Sequence, residues 1–284
     1  MKPRLIAIIK GGLGNQLFGY AAARALARRD GRKLLIDDSS GFARDDYGRS
    51  FRLDRFPIEA DPAPADARLG DPKGLRHRWT RSINKLLPPF WKDYVKEAPG
   101  RPPEQLTSFH SKRQTLHLNG YWQSEAYFAD IANSLRRELQ PPASGDDELE
   151  RGLQTGDTVM LHIRRIRYAP RLDSGYYTRG IHAAAETLDS PRFEVFGDDL
   201  DWARERLEFG DHPVRFHDPA DDELIDFRRM TLCRHAIVAN SSFSWWAAWL
   251  QPPGGQVWTP DNPGWPLRPA AGWTTVANKL EYDA

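Results

Sequence analysis

The sequence predicts an α/β protein made of two Rossmann-like domains that face a central cleft, and three observations support this prediction. The chain opens with an apolar run, a glycine-rich turn and a helical pattern that leads into a second apolar run, which is how a parallel α/β sheet begins. The stretch PPASGDDE, residues 141–148, has the composition of a linker. After it, short apolar runs again alternate with helical segments. We therefore expect one domain over residues 1–142 and a second over residues 143–284.

In the first half, the spacing of apolar residues predicts elements whose ends carry recognisable signals. Glycines follow the first strand, Asn15 is a candidate N-cap, and Gly31 is a candidate stop for the first helix. The predicted elements are strands over residues 5–9 and 33–36 and helices over residues 16–29 and 129–138. Residues 54–104 are rich in proline, alanine and charge, and we expect them to be irregular.

The second half alternates more regularly between strands and helices. The predicted strands cover residues 159–163, 193–196, 236–239 and 256–259, and the predicted helices cover residues 181–188, 200–207, 222–233 and 244–250. Open parallel sheets bind ligands at the carboxyl ends of their strands. Residues that directly follow these strands are therefore the first candidates for a functional site.

The composition limits the classes of function that fit. The 284 residues carry 40 Lys and Arg against 39 Asp and Glu, a formal net charge of +1, whereas nucleic-acid-binding proteins usually show a strong basic excess. Cys233 is the one cysteine, which excludes an intramolecular disulfide and a cysteine-based zinc cluster. The apolar run over residues 5–9 is too short for a signal peptide or a membrane span. We expect a cytoplasmic protein that binds no nucleic acid.

The glycine-rich turn KGGLGNQLFGYA, residues 10–21, is the first candidate site. Backbone N–H groups at a helix start can hold an anion or a sugar hydroxyl, so Gly12, Gly14, Asn15 and Gln16 are candidate ligand-binding residues. The turn is not a Walker A motif, and Leu17 occupies the third position of a dinucleotide fingerprint. A tight turn between strand and helix, with no ligand, is the alternative.

A second candidate site follows the strand in VMLHIRRIRYAP, residues 159–170. His162, Arg164 and Arg165 stand at its carboxyl end, and two neighbouring guanidinium groups suit the oxygens of a diphosphate. The alternative is that both arginines form ion pairs with Asp or Glu on a solvated rim.

Two more stretches carry polar groups at the start of a predicted helix. Asn240, Ser241, Ser242 and Phe243 precede a tryptophan-rich helix, where hydroxyls and unpaired N–H groups form an anion site or an ordinary N-cap. In FEVFGDDLDWA, residues 193–203, Asp198 and Asp199 can accept hydrogen bonds from the base or ribose of a nucleotide. Asp199 and Asp201 also match a D-x-D metal motif, although acids at a helix start are common for electrostatic reasons alone.

Residues 73–96 combine seven Lys and Arg with Trp79, Phe90 and Trp91 and a single acid, Asp93. Such a segment is suited to an anionic membrane surface. A solvated irregular insertion is the alternative.

The stretches GGLGNQLFGYAAARAL, GYWQSEAYF, LHIRRIRY and NSSFSWWAAWL, with FGDDLDW before the last, resemble the bacterial α-1,2-fucosyltransferases of glycosyltransferase family 11. The resemblance covers nearly the whole chain and is weakest over residues 54–115. It implies a GT-B-like fold, an acceptor-side first domain, a second domain that binds GDP-fucose, inversion at the anomeric carbon, and no metal cofactor. The implied partners are GDP-fucose and a galactoside acceptor in a lipid-linked or polysaccharide surface glycan.

The resemblance also assigns residues. It implies that His162 and Arg164 hold the donor, with Arg164 on the β-phosphate and Arg165 in a supporting role. Where the family pattern continues Gly-Asp-Tyr, this chain has Ile166 and Arg167. The catalytic base is therefore open, and Asp37, Asp38 and Asp173 are its candidates. The alternatives are the same fold with another nucleotide sugar or acceptor, a metal-dependent version through Asp199 and Asp201, and a nucleotide-sugar-binding protein that has lost catalysis.

Overall fold

The computed structural model describes residues 2–98, 104–166 and 170–282. Its Cα positions divide the chain into two compact units, residues 1–140 and residues 141–284. The division falls immediately before the two prolines of the linker segment, Pro141 and Pro142, whose rings cannot continue the preceding helix. Each unit contains its own parallel sheet with helices, which is the α/β class that the sequence predicts.

Among the described residues of the first unit, five parallel strands form a sheet in the order β3-β2-β1-β5-β4. The strands are Arg4–Ile8 (β1), Lys33–Asp37 (β2), Asp61–Pro62 (β3), Tyr94–Lys96 (β4) and Thr115–Asn119 (β5). The helices are Leu13–Arg29 (α1), Leu75–Leu86 (α2), Glu104–Thr107 (α3) and Ala132–Glu138 (α4). The central strand β1 is almost fully buried, and its last residue, Ile8, pairs with Asp37 on one side and Asn119 on the other.

Helix α1 begins three residues earlier than the sequence predicts. Gly12 rather than Asn15 is its N-cap, and the Asn15 side chain instead accepts a 2.7 Å hydrogen bond from Gln123. The predicted stop is confirmed, since Gly31 directly follows the C-cap residue with a φ of 61°. Most of α1 is buried, including Tyr20, whose hydroxyl donates to Glu138 of α4.

The prediction of an irregular segment over residues 54–104 is wrong for part of that range. It contains α2 and β4, joined by a single 3-10 turn at Pro89–Trp91. Strand β5, also missed, alternates apolar residues with His117, whose two ring nitrogens lie 3.0 Å and 3.3 Å from the backbone carbonyls of Ala67 and Asp93.

In the second unit, six parallel strands of the described residues form a sheet in the order β12-β11-β10-β6-β8-β9, and a short antiparallel pair joins β7 to β13. The strands are Asp157–Ile163 (β6), Arg171–Leu172 (β7), Pro191–Gly197 (β8), Val214–Phe216 (β9), His235–Ile237 (β10), Val257–Pro260 (β11), Thr274–Val276 (β12) and Leu280–Glu281 (β13). The helices are Asp147–Leu153 (α5), Ser174–Thr187 (α6), Leu200–Arg206 (α7), Glu223–Leu232 (α8) and Ser242–Leu250 (α9).

Helix α6 begins seven residues earlier than the sequence predicts and ends at Thr187. It begins at Ser174 because Tyr176 and Tyr177 are fully buried in the apolar core of this unit. Gly180 lies within it, where an added Cβ would come 2.9 Å from Ile237 of β10, so this glycine permits the helix to pack closely on the sheet.

Within the part of the chain that the structure describes, none of the helices has both the length and the apolar content needed to cross a bilayer.

Candidate functional site

The carboxyl edge of the second sheet gathers residues that follow three neighbouring strands. Strands β10, β6 and β8 lie side by side; Arg164 follows β6, Asp198 follows β8, and Ser241 comes shortly after β10. Since parallel strands all end at the same edge, the three connecting loops leave the sheet together. Three of the stretches singled out from the sequence therefore belong to one region of this unit.

The side chain of Asp198 connects the loops after β6 and β8. Its Oδ2 accepts a 2.7 Å hydrogen bond from Arg164 Nη1, and its Oδ1 accepts a 2.8 Å bond from the backbone N–H of Arg165. The backbone N–H of Asp198 donates to the carbonyl of Ile163 at 3.3 Å. The Arg164 side chain keeps 35% of its surface exposed, so a guanidinium that is held in place still faces water.

The neighbouring Arg165 is used differently. Its side chain is only 12% exposed, donates to the Leu172 carbonyl at 3.1 Å and pairs with Glu281 at 3.3 Å. Its guanidinium carbon also lies 3.9 Å from the centre of the Trp202 ring. These contacts hold the loop after β6 against β7, β13 and α7.

Gly197 allows β8 to end against β6. Its φ is 151°, and a Cβ at this position would lie 2.3 Å from the carbonyl oxygen of Ile163. Because no side chain fits there, only glycine permits the close approach that brings Asp198 to Arg164.

His162, the last but one residue of β6, is buried, with 6% of its surface exposed. Its ring centre lies 5.8 Å from that of Phe243 in α9, and among the described residues its Nδ1 has no hydrogen-bond partner. Burial, together with the nearby positive charge of Arg164, lowers the pKa of His162 to about 3. The imidazole is therefore neutral at neutral pH, a state suited to holding a ligand rather than to donating a proton.

A second pair of rings, Phe196 and His217, lies beside His162 in the sheet: Phe196 belongs to β8, and His217 follows β9. Phe196 of β8 pairs in register with His162, and the ring of His217 stacks on Phe196 with centres 4.2 Å apart. His217 Nε2 lies 2.7 Å from a carboxylate oxygen of the buried Glu194. Nothing in the sequence indicated His217, because no motif surrounds it and its contacts come from the register of two strands.

The start of α9 is capped by its own residues. The Ser241 hydroxyl accepts a 3.3 Å bond from the N–H of Phe243, and Asn240 donates 2.8 Å and 3.3 Å bonds to the carbonyls of Pro170 and Pro263. The hydroxyl of Ser241 is thus an N-cap, while Ser242 and Phe243 are half-buried at the positive end of the helix dipole.

Asp199 and Asp201 do not point toward a common centre. Asp199 caps α7 by accepting from the N–H of Trp202 at 3.4 Å, whereas Asp201 is exposed and pairs with Arg204 one turn later. In the described portion of the chain, no group of three or more His, Cys, Asp or Glu side chains is arranged to hold a metal ion.

The glycine-rich turn belongs to the first unit, at the carboxyl edge of its sheet. Gly11 has a φ of 77°, and a Cβ there would come 3.2 Å from the ring of Tyr121 and 3.0 Å from Asn15. Gly12 caps α1, and Gly14 and Asn15 lie in its first turn. The helix start that the sequence predicts is therefore present, with Gly12 and Asn15 half-buried and Gly11 and Gly14 buried, and it belongs to a different unit from Arg164.

Gln16 is buried, with 1% of its surface exposed, and all of its amide is used internally. Its Nε2 donates 2.8 Å bonds to the carbonyls of Gly11 and Ser50, and its Oε1 accepts a 2.9 Å bond from the N–H of Arg52. Gln16 therefore ties the glycine-rich turn to the segment before Arg52.

Two cations near this turn were not predicted. Arg49 Nε lies 3.9 Å from where a Cβ on Gly12 would stand, and Lys10 Nζ donates a 2.7 Å bond to Asn119 while lying 4.7 Å from the Tyr121 ring centre. Burial lowers the pKa of Lys10, an effect that the nearby Glu97 partly opposes. Lys10 is the first residue of the glycine-rich stretch, whereas Arg49 comes from a segment without a motif and only the fold identifies it.

The three candidate bases differ in accessibility. Asp37 is fully buried and accepts from the N–H groups of Ser39 and Ser40. Asp173 accepts from the N–H of Lys279 at 2.8 Å and is 18% exposed, whereas Asp38 is 33% exposed and pairs with Arg68. Arg167, which stands where the family pattern has Asp, lies outside the described residues.

The chain matches one family model and several known proteins. The model of glycosyl transferase family 11 matches residues 80–263. An alpha-1,2-colitosyltransferase of Escherichia coli is 28% identical over 275 residues, which cover 87% of each chain. The O-antigen biosynthesis glycosyltransferase WbnK of Escherichia coli is 28% identical over 278 residues, which cover 85% of this chain and 88% of WbnK.

Among solved structures, the alpha-1,6-fucosyltransferase NodZ from Bradyrhizobium, co-crystallised with GDP, matches with a TM-score of 0.53 and 20% identity. The match covers 93% of this chain and 97% of NodZ. The fold and the family match define the chain as a glycosyltransferase with an α/β fold of the GT-B type. It belongs to glycosyltransferase family 11, which confirms the family resemblance read from the sequence.

Proposed function

We propose that the chain is an inverting, metal-independent α-1,2-fucosyltransferase that moves L-fucose from GDP-fucose to a galactoside in surface glycan synthesis. Family membership and the name of the colitosyltransferase relative support α-1,2 transfer of a deoxy sugar. The crystal structure of NodZ soaked with GDP-fucose, which shares the fold, supports the donor. The name of WbnK, an O-antigen biosynthesis glycosyltransferase, supports a role in O-antigen assembly. We propose that the acceptor is lipid-linked or part of a polysaccharide.

The observation that carries the proposal is the guanidinium of Arg164, held by Asp198 at the carboxyl edge of the sheet. In the proposed reaction, the bond between the sugar C1 and the phosphate oxygen breaks, and its electron pair leaves with GDP. A fixed guanidinium that is still partly exposed can stabilise this growing negative charge on the β-phosphate. The N-terminal end of α9 is the second positive group for the leaving diphosphate.

The acceptor hydroxyl attacks C1 from the side opposite the leaving phosphate, so the configuration inverts as the new C–O bond forms. Its proton passes to a base. The carboxylates Asp37, Asp38 and Asp173 are the candidates for this base, and the Asp38 side chain, which directly follows β2, has the largest exposed fraction of the three. D38N is therefore the first variant in which to measure transfer.

The test is GDP release from GDP-fucose in excess EDTA, measured with and without a panel of β-galactosides. Acceptor-dependent release, with the new linkage assigned by NMR, is the expected result. Release that stops in EDTA and returns with a divalent cation would overturn metal independence.

GDP-colitose should be tested as a second donor in the same assay, because one relative at 28% identity is a colitosyltransferase. GDP-colitose supplied in place of GDP-fucose tests this alternative directly. Faster acceptor-dependent release from GDP-colitose would change the donor and leave the family and the site as described. Tight binding of either donor without transfer to any acceptor would instead indicate a nucleotide-sugar-binding protein.

A further inference from the structure

Helix α2 presents an apolar surface to water. Leu75, Trp79, Ile83 and Leu86 are 86%, 72%, 37% and 85% exposed. With about 100° between successive residues, these four positions fall within about 80° of the helix circumference. They form one continuous stripe along the helix, which is called the apolar stripe below.

The opposite face of α2 is polar and buried. His77 and Asn84 are 2% and 8% exposed. His77 Nε2 lies 3.3 Å from the Tyr94 hydroxyl, and Asn84 Oδ1 accepts 3.0 Å and 3.1 Å bonds from the N–H groups of Asp93 and Tyr94. Rotating the helix to bury its apolar stripe would break these bonds, so the outward orientation is fixed by the sequence.

This arrangement is the reverse of an ordinary surface helix, which buries its apolar face and exposes its polar one. The apolar stripe therefore contributes nothing to the core of the first unit. The 3-10 turn Pro89–Trp91, which follows α2, adds exposed aromatic surface, because Phe90 and Trp91 are 46% and 44% exposed. Lys112 Nζ lies 5.6 Å from the Phe90 ring centre.

Positive charge surrounds the apolar stripe. Residues 73–92 contain six Lys and Arg and no Asp or Glu, in a chain whose formal net charge is only +1. By helical position, Arg76 borders one side of the stripe, and Arg78 and Lys85 border the other. Among the side chains described over residues 2–98, 106–166 and 170–282, no carboxylate lies within 4.0 Å of the side-chain nitrogens of Arg78, Arg81 or Lys85.

We propose that residues 73–92 dock the chain on an anionic phospholipid surface, with α2 lying in the plane of the interface. The apolar stripe would enter the boundary between headgroups and acyl chains, and the flanking cations would contact phosphate groups. Charge complementarity favours this occupant over a second copy of the chain, because pairing two such faces would bring twelve cations together without a carboxylate between them. The proposal does not depend on which sugar the protein transfers.

The test is co-sedimentation of the full chain with vesicles of phosphatidylcholine alone and of phosphatidylcholine mixed with phosphatidylglycerol. We expect binding to the anionic vesicles, at least tenfold weaker binding to the neutral ones, and loss of binding as salt rises. Two double variants separate the two contributions: W79S/L86S removes apolar surface, and R78E/K85E reverses charge. Each should weaken binding to anionic vesicles by tenfold or more.

Matched controls are Y282S, which removes an aromatic side chain that is 69% exposed elsewhere, and R206E, which reverses an exposed charge in α7. Both should bind like the parent chain. Because all six positions are exposed, thermal unfolding should be unchanged, and transfer to a water-soluble galactoside measures the reaction separately from docking.

Three results would overturn the proposal: no binding to anionic vesicles, equal binding of the parent chain and W79S/L86S, or equal weakening in Y282S. A concentration-dependent dimer that disappears in W79S/L86S would assign the apolar stripe to a second copy instead.

Discussion

Asp198 and Arg164 are joined across the ends of two adjacent strands by a 2.7 Å hydrogen bond between Oδ2 and Nη1. The other oxygen of the same carboxylate accepts from the backbone N–H of Arg165, so the carboxylate fixes both the direction of the Arg164 side chain and the course of its backbone. A charged donor held in this way needs little rearrangement when negative charge develops near it. The relationship therefore ties the fold of the second unit to the proposed chemistry.

Replacing Arg164 tests the assignment of the diphosphate contact. R164A should lower kcat/KM by about 10²- to 10³-fold, because a fixed donor to the leaving group is lost. R164K should recover part of this loss, since Lys keeps the charge but lacks the planar fork. The measurement is steady-state GDP release, and a folded R164A with unchanged turnover would contradict the assignment.

Asp198 acts through Arg164, so we expect it to be a positioning residue. D198N keeps the size of the side chain but removes its charge, and should lower kcat by about 10- to 100-fold. The conservative D198E should not restore full activity, because the longer side chain shifts the guanidinium. D201N is the control: Asp201 is 91% exposed, and its loss should leave kcat within twofold, about the uncertainty of the assay.

The double variant R164A/D198N distinguishes this positioning role from a general loss of folded protein. Misfolding lowers the active fraction and therefore the apparent kcat of every substrate equally, with no change in Arg164 dependence. If Asp198 positions Arg164, the losses in D198N and R164A should be far from additive in the double variant. Additive losses would contradict the coupling.

The lowered pKa of His162 predicts that the folding stability of the protein depends on pH. Its pKa of about 3 in the folded protein lies below the ordinary value of 6.5, so between these values the unfolded chain binds more protons. Folding stability should therefore fall as pH drops below 6.5, by about 2 kcal/mol at pH 5 from this group alone. H162Q, which cannot gain the proton, should show a smaller drop in thermal stability between pH 7 and pH 5.

The matched control is H182Q, since His182 is an exposed histidine in α6 of the same unit. Its replacement should leave the pH dependence of unfolding as in the parent chain. An unchanged acid slope in H162Q would show that His162 gains its proton in the folded state and is less enclosed than the structure indicates.

The buried hydrogen bonds of Gln16 predict that replacing this residue destabilises the protein. Q16L has nearly the same volume but removes three hydrogen bonds to Gly11, Ser50 and Arg52, and should destabilise the first unit by about 2 kcal/mol or more. Q140L is the control, because the Gln140 side chain is exposed and donates to the carbonyl of Arg136 within its own helical turn. Unchanged unfolding of Q16L would contradict the prediction.

The sequence predicted the fold class and the strands that carry the candidate site, because β1, β6, β8 and β10 are apolar runs followed by distinctive polar residues. It did not predict α2, because the segment was interpreted from its composition, although Leu75, Trp79, Ile83 and Leu86 recur at helical spacing. The spacing also does not show which face is buried, and in α2 the buried positions are His77 and Asn84.

The sequence also did not predict which side chains from distant segments contact each other. That Asp198 would meet Arg164 follows from the parallel register of β6 and β8, which depends on the whole sheet. Asn15 illustrates the opposite error: its residue type suits an N-cap, but Gln123, which is 108 positions away, provides a competing partner for its side chain. Tertiary contacts of this kind override local preference.

Gly197 has a consequence for natural and laboratory variation. Any side chain there would place an atom within 2.3 Å of the Ile163 carbonyl, so every missense change at this codon should separate β8 from β6. Such changes replace no charged residue of the candidate site, but they separate Asp198 from Arg164 and so break the hydrogen bond between them. In a saturation library selected for transfer, position 197 should therefore keep a single residue, as a catalytic position does, although glycine contributes no chemical group to the reaction.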